Sequence, residues 1–169
     1  IKRAISVDEI EKMKFKEFLN EMADISKFNS GWLKEPEAKA LVKAFRAGEV
    51  TAEVNGQSYK ASKKVTATSL KKGQVVFGSY NSTNQGAKIY EILGFQAGDD
   101  GPTFDTVKEL FAHYEVVSLR ELEAKNSDAK LVVKDIADGS QGPWFYIYKG
   151  SWARGSGAEK LSFVEVEKV

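Results

Sequence analysis

The side chains that usually carry catalysis are sparse in this chain, and their types exclude several chemistries. There is no cysteine, hence no disulfide, no thiolate nucleophile and no cysteine-based zinc site. The single histidine, His113, rules out a histidine-rich metal cluster; it follows an amphipathic helical run, where it complements the dipole of a last turn. Asp99-Asp100-Gly101 lacks the alternating acids and distal glutamate of a calcium loop and reads as a turn. Gly155-Ser156-Gly157 has neither the preceding strand nor the following helix of a phosphate-cradling loop. Carboxylate pairs assemble in space and leave no local signature, so acid–base chemistry is the one enzymatic option left open. The sequence therefore predicts a non-enzymatic protein with no metal and no cofactor, which works by binding.

Two segments are suited to binding. From Pro143 to Arg154 the chain holds Trp144, Phe145, Tyr146, Tyr148 and Trp152, five of its nineteen aromatic residues. In a strand, Trp144, Tyr146 and Tyr148 project from one face while Phe145 and Ile147 project from the other. Phe145 and Ile147 suit a core, and the three rings with polar tips suit a surface on which nucleobases stack. Lys149 and Arg154 add cations at the end of this row, and Trp152 falls in a Gly- and Ser-rich segment expected to be a loop that approaches a ligand. A sheet covered on both faces would instead bury all five rings.

The second segment is electrical. The net charge is only +1, yet between Gly56 and Tyr90 the charged residues are Lys60, Lys63, Lys64, Lys71, Lys72 and Lys88, without an acid. Residues 91–138 carry eleven acids against five bases. Such asymmetry points to an anionic partner for the basic part; the two blocks neutralising each other within the fold is the competing expectation. A cationic track for phosphates and a ring platform for bases are what a single-strand binder combines. No helix rich in Arg, Asn and Gln offers itself for a duplex groove.

The elements that must position these residues follow from periodicity. Ser6-Val7-Asp8-Glu9 has the form of a capping box, and a helix is expected over residues 7–28, ended by Asn29-Ser30-Gly31. A second helix opens at Pro36 and buries Leu41, Val42 and Phe45 before Gly48. The period then changes to two, with Asn55-Gly56 as the turn of a hairpin that places Val50, Ala52, Val54, Tyr59 and Ala61 on one face. Further strands are expected over residues 64–68, 74–80, 88–95, 131–136, 143–149 and 160–167, with a polar loop over 80–86. A helix is expected near residues 104–113, and Ser118 is placed to cap another. The fold class is thus α+β: two N-terminal helices, then a strongly bent antiparallel sheet or small β-barrel with one inserted helix. Residues 1–48 form a helical segment packing on the core, and 49–169 the β-rich unit. No apolar run approaches the roughly 20 residues that span a bilayer, and the absence of cysteine suits a reducing cytoplasm.

The aromatic tract, the lysine stretch and the cysteine-free short-strand layout together resemble small single-stranded-DNA-binding proteins of bacteriophages, in particular those that double as cofactors of a phage RNA polymerase. The likeness is one of architecture and composition. The paired helices and the ending at Val164–Val169, which is no extended acidic tail, depart from that pattern. The resemblance implies binding of single-stranded nucleic acid, DNA before RNA, in phage-type replication or transcription within a bacterial cytoplasm, with a polymerase and further copies of the chain as partners. The alternative expectation is a protein-interaction or virion structural module on a small barrel.

Overall fold

The structure, a computed structural model, describes residues 35–80, 88–125, 127–154 and 159–169; the expected helix over 7–28 and most of the polar loop over 80–86 lie outside them. Helix α1 (Glu35–Arg46) buries Leu41, Val42 and Phe45, as its apolar spacing requires. Strands β1 (Ala52–Val54) and β2 (Gln57–Val65) form the expected hairpin, in which Asn55 and Gly56 take φ of 51° and 80°. Then follow β3 (Val75–Tyr80), β4 (Lys88–Gln96), β5 (Thr103–Phe104), α2 (Val107–Tyr114), α3 (Leu119–Ala124), β6 (Lys130–Asp135), β7 (Gln141–Tyr148), β8 (Ser151–Arg154) and β9 (Glu159–Lys168).

Six of these strands close an antiparallel barrel in the order β9-β3-β4-β6-β7-β8, with β8 returning to β9 through Ala153 opposite Lys160 and Arg154 opposite Glu159. β2 pairs with the rest of β9, carrying β1 at its outer edge, and β5 adds to β4. Among the described residues the fold is mostly β with three short helices, so the α+β class expected from sequence is corrected toward β; its barrel stands.

Two cores result from the alternation of side chains across the wall. Inside lie Val76, Tyr90, Ile92, Phe95, Leu131, Val133, Phe145, Trp152 and Phe163, with Tyr90 and Phe145 edge to face at 5.4 Å. Leu70, Val107, Leu110, Leu119 and Leu122, from the β2–β3 connection, α2 and α3, join this interior cluster. Outside, Phe77, Ile89, Val164 and Val166 are covered by α1 and the β1–β2 hairpin, Phe45 meeting Phe77 at 4.6 Å.

Some boundaries moved for local reasons. The strand expected over 64–68 is the end of β2, because Ser69 turns the chain: its hydroxyl bonds the Thr66 amide and carbonyl. Phe104 is a strand residue rather than helical, since Thr106 caps α2 by accepting from the Glu109 amide. Ser118 does cap α3, accepting from the Glu121 amide. A second inserted helix is therefore present.

β4 carries a bulge between Ile92 and Gly94 that lets it curve, and Gly94 has φ of 151° with β5 pressed against it. A Cβ there would stand 2.6 Å from Thr103 Cγ2 and 3.0 Å from the Phe104 carbonyl oxygen. Gly94→Ala is therefore expected to destabilise the fold by about 1–3 kcal/mol, since it adds backbone strain to overlap. Urea unfolding measures it; a midpoint equal to wild type would contradict this reading of the bulge.

Candidate functional site

The β7 alternation follows the sequence pattern. Phe145 is buried and Ile147 half-buried, whereas Tyr146 and Tyr148 are 42% and 37% exposed. The first ring of the row differs. A register shift against β6 leaves Pro143 and Trp144 together opposite Val132, a place where proline costs no ladder bond. Trp144 is half-buried against Gly142, and the Arg154 guanidinium carbon stands 5.8 Å from its ring centroid. That cation–π contact occupies the ring Trp144 would offer a base.

Trp152 is corrected outright. Its segment is strand β8, not a loop, because Lys149 and Gly150, with φ of 48° and 74°, make a two-residue turn that returns the chain onto β7. Trp152 lies opposite Ile147 on the inner face, fully buried, and its Nε1 donates to the Ala67 carbonyl at 2.9 Å. A ring with no exposed surface stacks on no ligand.

The lysines do not form one track. Lys60 pairs with Glu167 at 3.2 Å and Lys63 with Glu165 at 3.5 Å, directly across β2 and β9. Such surface pairs contribute on the order of 0–1 kcal/mol, but they cancel charge that a phosphate would otherwise meet. Lys72 stands 3.9 Å from Asp105, and Lys71 bridges Thr106 beside the start of α2. Lys88 holds the buried Asp135 at 3.0 Å and is structural, since removing it would strand a carboxylate inside the wall. The acid-free stretch is thus largely neutralised by acids distant in sequence, and only Lys64 of this set meets the aromatic strand's surroundings.

Lys64 arrives there through a bulge. An extra residue between Ala61 and Lys63, where the Ser62 hydroxyl bonds the Glu165 carbonyl, shifts the alternation of β2. Lys63 consequently joins Lys60 on the face of Glu165 and Glu167, while Lys64 falls opposite Val164 on the face that α1 covers. There it lines a cleft of about 250 Å³ with Arg46, Ser151 and Ser162. Arg46, at the end of α1, donates through Nη1 to Ser79 Oγ and to the Ser162 carbonyl, both at 3.1 Å. Burial holds its pKa below the ordinary arginine value.

Register joins this cleft to the tyrosines. Ser151, on the cleft, is directly opposite Tyr148; Tyr146 is opposite Ala153, and Ala153 is opposite Lys160. The outer face of β7, β8 and β9 therefore presents Tyr146, Tyr148, Lys160, Lys64 and Arg46, with Lys149 5.3 Å from the Tyr148 ring centroid. None of these cations is ion-paired with an acid among the described residues. On the other side of β7, Glu123 and Asp128 line a hollow beside Tyr146, and Glu123 accepts the amides of Lys149 and Gly150 at 2.9 and 3.1 Å. Across β6, Lys130 bonds Asp99 and lies 3.7 Å from Asp128; the Asp99 hydrogen bond raises its pKa above the usual lysine value. The face is cationic toward β9 and acidic toward α3.

Arg46 and Lys160 were missed from sequence. Arg46 sits in a helix assigned to packing, and Lys160 in a strand with alternating acids; no local pattern marks either. Comparison of the chain with protein-family models, curated proteins and solved structures gives no match.

Trp152→Phe tests the corrected role. Loss of the indole N–H leaves the Ala67 carbonyl short of a donor, with an expected cost of about 1–3 kcal/mol, read as a lower urea midpoint. Its ligand affinity should equal wild type; weakened binding at undiminished stability would return Trp152 to the site.

Proposed function

We propose that the chain is a non-enzymatic single-stranded nucleic-acid binder, DNA before RNA, whose bases stack on Tyr146 and Tyr148 while the phosphates run toward β8 and β9. The observation that carries this reading is the pair of exposed tyrosines on one face of β7, contiguous with cations that have no acid partner among the described residues. Phenol rings offer a π-face to any base, and lysine attracts phosphate without reading sequence. The polarity of the face, cationic toward β9 and acidic toward α3, favours a backbone lying on the β9 side of the rings.

A single strand suits this face better than a duplex. The cations lie mainly on strands and turns, and α2 and α3 with their caps expose Glu109, Glu115 and Glu121, which a phosphate-lined groove would repel. Phage-type replication or transcription, with a polymerase as partner, is the setting that the compositional resemblance implies. Exposed tyrosines also suit a protein interface, where that residue is enriched; a self-associating chain that ignores oligonucleotides would favour that second reading.

Fluorescence anisotropy with oligo-dT at low salt is the test. The logarithm of the binding constant should fall linearly with the logarithm of salt concentration as counterions are released. Tyr146→Ala and Tyr148→Ala should each weaken binding by about 1–3 kcal/mol, the scale of one base-stacking contact, without lowering thermal stability. No binding at low salt, or tyrosine variants that bind as wild type, would refute the proposal.

A further inference from the structure

The cleft between β2 and β8 has its own chemistry. β9 is flanked on one edge by β8 at Glu159 and Lys160 and by β2 from Phe163 onward, so Leu161 and Ser162 lie where neither strand reaches. The gap is lined by Arg46, Lys64, Ala67, Ser151, Leu161 and Ser162, together with Val65 and Phe163, and among the described residues it holds no carboxylate. Arg46 spends Nη1 on a hydroxyl and a carbonyl, which offer only partial negative charge, as does the C-terminal end of α1 that it complements. Neither it nor Lys64 has an acid partner among the described residues. Among the described residues, a half-buried guanidinium without a counter-ion, beside an ammonium with no acid partner and a serine hydroxyl, leaves donors unused in a concave space.

We propose that this cleft is a phosphate-binding site, in which the Arg46 guanidinium and the Lys64 ammonium hold one phosphate group and Ser151 donates a hydrogen bond to it. Arg46 is the positioned element, fixed by two bonds to the barrel wall; Lys64 is the mobile one, attracting the anion from solvent. At about 250 Å³ the cleft has room for a phosphate group. Because Ser151 faces Tyr148 across the β7–β8 ladder, a phosphate in the cleft is next to a base on that ring. The inference rests on the nucleic-acid reading for the phosphate's owner; the preference of the cleft for phosphate stands without it.

The experiment follows the backbone amides of Lys64, Ser151 and Ser162 by NMR during titration with inorganic phosphate at constant ionic strength, and in parallel measures oligo-dT affinity. Saturable shifts at these amides are expected in wild type, in Tyr148→Ala and in Lys60→Glu, whose lysine faces Glu167 on the other side of the ribbon. Lys64→Glu should weaken phosphate by about tenfold or more through charge reversal, while its amide spectrum elsewhere stays that of the folded protein. The same variant should weaken oligo-dT and shrink the salt slope by about one unit. Lys64→Gln, which removes the charge without reversing it, should fall between. Absence of saturable shifts in wild type, or a Lys64→Glu variant that titrates as wild type, overturns the cleft assignment even if oligo-dT binds. Phosphate titration with no oligo-dT binding supports the cleft and sinks the nucleic-acid reading, pointing to a free phosphate or phosphomonoester.

Discussion

Strand β9 satisfies three neighbours with ten residues, and the rest of the molecule follows from how it divides them. One edge belongs to β3. The other is split between β8, which closes the barrel, and β2, which brings the hairpin and a surface for α1. Backbone donors and acceptors within a sheet must be paired or hydrated, and the split leaves a short stretch where the second strand is missing. Arg46 supplies a side-chain donor to the Ser162 carbonyl at that point. The cleft lined by Arg46, Lys64 and Ser151 is therefore a consequence of barrel closure.

Bulges then decide which side chains share a face. The extra residue at Ser62 puts Lys64, rather than Lys63, on the face of Ala61, where simple alternation would have put Lys63. The shift at Pro143 and Trp144 turns the first ring of the aromatic row toward Gly142 and Arg154, so a platform of three becomes a pair. Since side-chain direction has a period of two, one inserted residue relocates everything beyond it. Small backbone irregularities thus decide which side chains share a face here more than the composition of the segments they interrupt.

The charge blocks along the chain follow the same logic. Six lysines without an intervening acid suggest a strong field, yet Glu165, Glu167, Asp105 and Asp135 reach Lys63, Lys60, Lys72 and Lys88 across strand pairings and turns. Among the described residues, the cations without an acid partner that gather around β8 and β9 come from all parts of the chain: Arg46 from α1, Lys64 from β2, Lys149 from a turn and Lys160 from β9. This residue set is invisible to any window on the sequence, because it exists only once β8 and β2 are aligned on β9.

Local chemistry is what the sequence by itself determined. The spacing of Leu41, Val42 and Phe45, the left-handed preference of Asn55-Gly56, the caps at Thr106 and Ser118, and the alternation of Phe145 with Tyr146 each depend on neighbours within a few residues, and the sequence predicted most of them directly. The tertiary structure alone decided that Trp152 is core, that Lys88 serves Asp135, that β5 and β8 exist as strands, and that Arg46 stands beside Lys64. Those outcomes depend on register and closure, where partners separated by scores of residues choose each other through the burial of a whole face, a free energy that no single segment contains.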